Sequence, residues 1–221
     1  MTIDVLASSS RANCYAFSDG TATILLECGL HVQKTLEMLH WKLPDAILVT
    51  HEHGDHAYAA KDFLKRGVEM YMTAGTAEML KLNRHNLHVI KANEPFDVCG
   101  HRVTAFEVKH DAAEPVNFIV DDTLFVTDAG EVPTVTGKFR RVLIEANYEL
   151  ASLLGADISA GQKQRVRENH LSIAQTVNFL KTLDEPAAVT LIHLSKRHGD
   201  GTEFIRKVKH ATGFNNVFAA G

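Results

Sequence analysis

The chain has 221 residues, 45% hydrophobic and 23% charged, an ordinary globular balance with length enough for a sizeable core. Lys and Arg number 23 against 27 Asp and Glu, a net charge of -4, which excludes a strongly basic nucleic-acid coat and leaves any polyanion to a local patch. Thirteen histidines stand beside one Trp and four Tyr, a surplus that asks for a chemical reason.

In chain order, short apolar runs predict strands at Ile3–Ala7, Tyr15–Phe17 and Thr23–Leu26, the last two separated by the turn-like Ser18-Asp19-Gly20. His31–His40 has helical spacing, and Ala46–Thr50 reads as a buried strand. A helical pattern follows His56 to Lys65 and stops at Gly67; Val68–Met72 is a strand and Thr76–Leu82 a helix. The middle is β-rich, with strands at His88–Ile90, Phe96–Val98, Arg102–Val108, Val116–Val120 and Thr123–Val126, the last pair joined by a hairpin at Asp121-Asp122. Arg141–Glu145 is a strand, Leu171–Leu183 an amphipathic helix, Ala188–His193 a strand and Glu203–His210 a helix, leaving Phe214–Phe218 as a tail. Two sheets with helices outside, an α/β fold of αββα layering, fit this order better than one doubly wound sheet, because the middle strands lack crossover helices. No repeat or linker divides the chain, so residues 1–221 are read as a single domain.

Cys14, Cys28 and Cys99 form no Cys-x-x-Cys pair, which argues against a thiolate zinc finger and a disulfide framework and predicts a reducing, cytoplasmic setting. Met1–Tyr15 lacks the basic-then-apolar pattern of a signal peptide, and no apolar run nears the roughly 20 residues of a spanning helix, so no membrane association is expected.

The decisive segment is His51-Glu52-His53-Gly54-Asp55-His56, three histidines and an aspartate in six residues between a predicted strand and a helix. Imidazole and carboxylate are ligands for zinc and related divalent ions. His51 and His53 share a side in extended backbone, Asp55 and His56 come one turn later, and Gly54 eases the bend, so the turn offers two ligands to one ion and two to another. Further ligand candidates end or follow predicted strands: His110, Asp128 and His193, with Asp128 able to bridge two ions.

His51-x-His53-x-Asp55-His56, followed in order by His110, Asp128 and His193, resembles the signature of the metallo-β-lactamase fold superfamily. Ser8-Ser9-Ser10 with Asn13-Cys14-Tyr15, Leu26-Glu27-Cys28-Gly29-Leu30, Leu143-Ile144-Glu145-Ala146-Asn147, Asn169-His170-Leu171-Ser172 and His193-Leu194-Ser195 resemble its YycJ (WalJ)-like branch, which is closer to ribonuclease Z-like phosphodiesterases than to lactam hydrolases. The resemblance implies an αββα sandwich and two divalent metal ions; histidine-rich ligation suits zinc, with manganese, iron or nickel as alternatives. By the family pattern His51, His53 and His110 hold one, Asp55, His56 and His193 the other, and Asp128 bridges. His170 matches the histidine that ribonuclease Z-like enzymes place near the leaving group. Two departures stand out: Glu27 occupies a usual Asp position, and Lys196-Arg197-His198 follows the last ligand where the branch often has Asn. No β-CASP insertion fits the length.

These residues predict a metal-dependent hydrolase, a phosphodiesterase acting on nucleic acid or a nucleotide through a metal-bridging hydroxide, and the YycJ-like resemblance implies a nuclease of the DNA exonuclease kind. In that scheme Asp55 orients the hydroxide, His170 protonates the leaving alkoxide and Glu145 holds the His170 imidazole. Basic clusters at Lys138/Arg140/Arg141, Lys163/Arg165/Arg167 and Lys196/Arg197 are candidate phosphate contacts. The competing readings are a cyclic-nucleotide phosphodiesterase, a thioester or lactam hydrolase, and a non-catalytic metal-stabilised binding protein. A homodimer is compatible with the sequence.

Overall fold

The computed structural model describes residues 2–220. Two compact units emerge, one holding the chain up to Glu107 together with Ala112–Val116, the other Val108–Asp111 and the chain from Asn117 onward.

The first unit is built on a six-stranded sheet in sequence order. β1 (Thr2–Ser9), β2 (Ala12–Ser18) and β3 (Thr23–Leu26) are antiparallel; β4 (Ala46–Leu48), β5 (Glu69–Thr73) and β6 (Leu87–Ile90) continue parallel to β3. The crossovers are α1 (Val32–Met38), the pair α2 (Gly54–Ala57) and α3 (Ala60–Lys65), and α4 (Ala74–Met79). Parallel strands covered by crossovers read as continuous apolar runs, and Ala46–Leu48 is wholly buried. The helices pack on this sheet through Val32, Leu36, Phe63, Leu64 and Ala77. The hairpin of β7 (Pro95–Val98) and β8 (His101–Glu107) belongs to the same unit.

The second unit orders its strands β13-β12-β11-β10-β9, that is Val217–Ala219, Ala188–Ile192, Arg141–Glu145, Thr123–Val126 and Val116–Val120. β9 and β10 form the predicted two-residue hairpin, with Asp121 at φ +50°. β10 to β13 are parallel. Helices α5 (Leu150–Gly155), α6 (Ala160–Asn169) and α7 (Ile173–Leu180) connect β11 to β12, and α8 (Gly201–Thr212) connects β12 to β13.

Several expectations change in detail. The predicted helix from Leu171 begins instead at Ile173, because Ser172 caps it in a reciprocal capping box with Gln175. The pattern after His56 is two short helices broken at Tyr58-Ala59. The predicted strand Ala46–Thr50 ends at Leu48, freeing the chain to leave the sheet before His51. Val217–Ala219, which takes in the end of the expected Phe214–Phe218 tail, is an edge strand beside β12. Helix α6 escapes a periodicity search because it is polar all round; its sequence signal was the capping box of Ser159 with Gln162. No helix among the described residues is long and apolar enough to cross a membrane.

Candidate metal centre

In the first unit the ligand turn leaves the C-terminal end of β4, where parallel strands commonly present functional groups. His51 and His56 are buried, their rings 4.3 Å apart at the centroids. His51 Nε2 and His53 Nδ1 approach to 3.1 Å, and Asp55 Oδ2 lies 3.3 Å from His56 Nε2. Four donor side chains thus converge from one turn.

Supporting residues set the ring orientations. Thr50 Oγ1 contacts His51 Nδ1 at 2.8 Å, and Glu27 Oε1 lies 3.6 Å from His56 Nδ1. The Thr50 contact on Nδ1 turns His51 Nε2 toward the ligand cluster, the usual arrangement for metal-bound histidine, while Glu27 faces His56 Nδ1 at ion-pair range. Glu27, in a usual Asp position, therefore still faces His56 from ion-pair distance. It is fully buried with φ +68°, and burial drives its carboxyl above the usual range against the opposing influence of His56.

Asn13 is a site residue to which the sequence reading gave no role. Its Nδ2 lies 3.3 Å from Asp55 Oδ2 and 3.1 Å from His56 Nε2. Tyr15 donates from Oη to Asn13 Oδ1, and Ser8 Oγ contacts the same hydroxyl at 2.9 Å. The Asn-Cys-Tyr motif is thus a polar chain from β1 and β2 to the ligand turn. Cys14 and Cys28 lie beside it as buried thiols whose pKa values burial raises, which suits packing rather than metal binding.

The backbone locks this turn. Cys28 N donates to the His56 carbonyl and Ala59 N to the Cys28 carbonyl, at 2.7 and 2.9 Å. A Cβ on Gly29 would sit 1.8 Å from the Asp55 carbonyl oxygen. Gly29→Ala must therefore displace Asp55, and a metal titration should show affinity weakened about 10–100-fold, the range for lost ligand support. Unchanged affinity in a folded variant would remove this role for Gly29.

The second unit presents another convergent set. Asp128, Glu145, His170 and His193 each place a donor atom within 4.8 Å of the others. Asp128 and His193 follow β10 and β12 in left-handed conformations, φ +40° and +52°. Such conformations cost roughly 1–3 kcal/mol each and concentrate at functional sites. Asp128 Oδ1 lies 3.1 Å from His193 Nδ1, while Oδ2 lies 3.6 Å from His110 Nε2. The two carboxylate oxygens therefore face different histidines. His110 Nδ1 is 3.0 Å from the Asn169 carbonyl, an acceptor that assigns the ring proton to Nδ1 and the lone pair to Nε2.

Glu145 is the hub of this set. Its Oε1 lies 2.7 Å from His170 Nδ1 and 2.9 Å from His193 Nδ1; its Oε2 accepts from the backbone N–H groups of Ala129 and Leu171. Burial opposes its ionisation, but His170 and the hydrogen bonds outweigh that cost and hold the carboxyl below its usual range. Burial likewise opposes charge on His170, and the Glu145 carboxylate overcomes it, so the imidazole pKa is raised. Asn147 supports His193 by donating from Nδ2 to its carbonyl oxygen at 3.0 Å.

The donor chemistry fits a hard or borderline divalent ion: imidazole and carboxylate donors, buried or half-buried, with hydrogen-bonded outer partners and no thiolate among them.

Known proteins share this fold. The family described as Beta-lactamase superfamily domain matches residues 22–194. Exodeoxyribonuclease WalJ of Streptococcus pneumoniae serotype 2 (strain D39 / NCTC 7466) is 27% identical over 241 residues, covering 98% of this chain and 88% of that protein. The metallo-β-lactamase fold protein YhfI from Bacillus subtilis superposes with TM-score 0.78 at 15% identity, covering 99% of this chain and 95% of that one. A diphosphatase from the PhnP family superposes with TM-score 0.76 at 14% identity, covering 99% and 94%. The α/β architecture of two sheets and helices is thus that of the metallo-β-lactamase fold, and the chain belongs to the β-lactamase superfamily domain family.

Proposed function

We propose that the protein is a metal-dependent phosphodiesterase, one hydrolase domain acting on a nucleic-acid strand as an exonuclease in the cytoplasm. His51, His53 and His110 would hold one ion and Asp55, His56 and His193 a second, with Asp128 available to both and zinc or manganese as the metal. The carrying observation is the His170–Glu145 pair at 2.7 Å in the same cluster as Asp128 and His193. A half-buried imidazole backed by a buried carboxylate suits protonation of an alkoxide leaving group, which phosphodiester hydrolysis requires. Likeness to WalJ over 98% of the chain favours the same reading.

When bound, two divalent ions supply a hydroxide near neutral pH and neutralise charge on a phosphoryl oxygen. The chain's own residues do the rest. Glu27, Thr50, Asn169 and Glu145 orient the histidines through Nδ1. Asp55 orients the attacking oxygen. Glu145 favours the protonated form of His170 and aims it, leaving Nε2 as the atom that delivers the proton.

A substrate panel tests this: 5′-labelled single-stranded DNA, a cyclic nucleotide, bis(p-nitrophenyl) phosphate and a chromogenic lactam, with metal content measured. DNA and the aryl phosphodiester should be cleaved, and His53→Ala should lose metal and activity together. Lactam hydrolysis with inert phosphodiesters would replace the reading with acyl transfer. Bound metal with no hydrolysis of any phosphodiester would leave a binding protein.

A further inference from the structure

One cation of helix α6 remains unexplained by the metal centre, and its placement is specific. The helix ends against the site: Asn169, through its carbonyl, meets His110 Nδ1, and His170 follows as the C-terminal cap. A Cβ on Gly130 would lie 1.8 Å from the Glu168 carbonyl oxygen, so the loop after Asp128 rests directly on the same helical turn. Asn169 Nδ2 also donates to the Arg165 carbonyl, one turn back. Arg165 stands four residues before Asn169, on the face that carries the His110 contact. Its Nε donates to Asp111 Oδ2 at 2.8 Å, immediately after that ligand candidate.

The other basic residues of the helix differ. Lys163 donates to the Leu154 carbonyl at the end of α5, and Arg167 exerts its charge on Tyr148. Arg165 alone of the three is tied to the His110 segment, and its side chain is 69% exposed. A guanidinium anchored through Nε keeps a pair of Nη–H donors in fixed orientation, the edge that matches two phosphate oxygens.

We propose that Arg165 binds a backbone phosphate of the DNA strand, outside the scissile bond, with Asp111 holding the guanidinium in position. The inference rests on the phosphodiesterase reading and extends it from chemistry to substrate size. A protein of net charge -4 meets a polyanion through such local cations. The competing account is an exposed ion pair of little energetic weight, which forms wherever Arg and Asp meet at a surface.

The test compares metal-loaded wild type, Arg165→Ala and Arg165→Lys on a single-stranded oligonucleotide and on bis(p-nitrophenyl) phosphate, across about 50–200 mM salt. Arg165→Ala should lose about tenfold more kcat/KM on the oligonucleotide than on the aryl ester, carried by KM, a single-contact effect. The salt dependence of log KM should become shallower by about 0.7, the value for one phosphate contact on a single strand. Arg165→Lys should restore that slope with only part of the affinity, since the charge returns without the fork. Equal losses on both substrates, or an unchanged salt slope, would overturn the proposal. A wild-type enzyme that cleaves the aryl ester but not the oligonucleotide overturns this inference and the nucleic-acid substrate while leaving the phosphodiesterase chemistry; one that cleaves neither overturns the phosphodiesterase reading as well.

Discussion

Asp128→Asn should lower phosphodiester turnover by roughly 10³-fold or more and reduce the bound metal. A carboxylate that serves two cations contributes several kcal/mol of charge stabilisation, and each 1.36 kcal/mol is about tenfold in rate. The geometry behind this expectation is the division of its oxygens, Oδ1 toward His193 and Oδ2 toward His110. Asparagine keeps the shape and tolerates the left-handed backbone at φ +40°, so the change isolates charge from strain. Asp128→Ala adds a backbone cost of about 1–2 kcal/mol and should melt lower without metal. Metal analysis, turnover and apo-protein melting separate the two effects. Full metal content with turnover within tenfold of wild type in Asp128→Asn would rule out a bridging role.

Glu145→Gln should cost about 10²–10⁴-fold in turnover on DNA, the range for losing general acid catalysis. Glutamine cannot serve all four partners of this buried carboxylate. If its oxygen stays with His170 and His193, its NH2 faces the N–H groups of Ala129 and Leu171, donor against donor. The sign of the pH effect follows from the same contact. Glu145 raises the His170 pKa, so the acid form persists to higher pH in the wild type. Without that carboxylate the pKa falls, and the high-pH limb of the kcat profile should move to lower pH. His170→Ala should abolish that limb while retaining metal. Its loss should be much larger on DNA than on bis(p-nitrophenyl) phosphate, because p-nitrophenolate departs with little need of a proton. Equal losses on both substrates would remove His170 as the acid, and an unshifted limb in Glu145→Gln would remove Glu145 as its positioning residue.

Much of this site was legible in the chain because its donors obey local rules. His51, His53, Asp55 and His56 sit in one turn, and spacing alone brings them together. His110, Asp128 and His193 stand where apolar runs stop, and a strand end is visible in sequence. The strands themselves follow from β-branched and apolar runs separated by turn residues, such as Asp121-Asp122 between Val120 and Thr123.

What sequence could not show are the partnerships between distant segments. Asn13 meets Asp55 across 42 positions, and Glu145 meets His193 across 48. Neither contact leaves a periodic trace, because each is made by one side chain at the end of a separately ordered strand. Helix α6 was hidden for a related reason: a polar helix buries no apolar stripe, so nothing in its pattern tells where it packs. Its value to the site lies in its last turn, where Arg165 and Asn169 meet the His110 segment. The chain alone determined which donors exist and which of them share a turn. The tertiary structure decided which acceptor holds each imidazole proton, and so which nitrogen is left for a metal or a substrate, because that choice depends on atoms brought together only by folding.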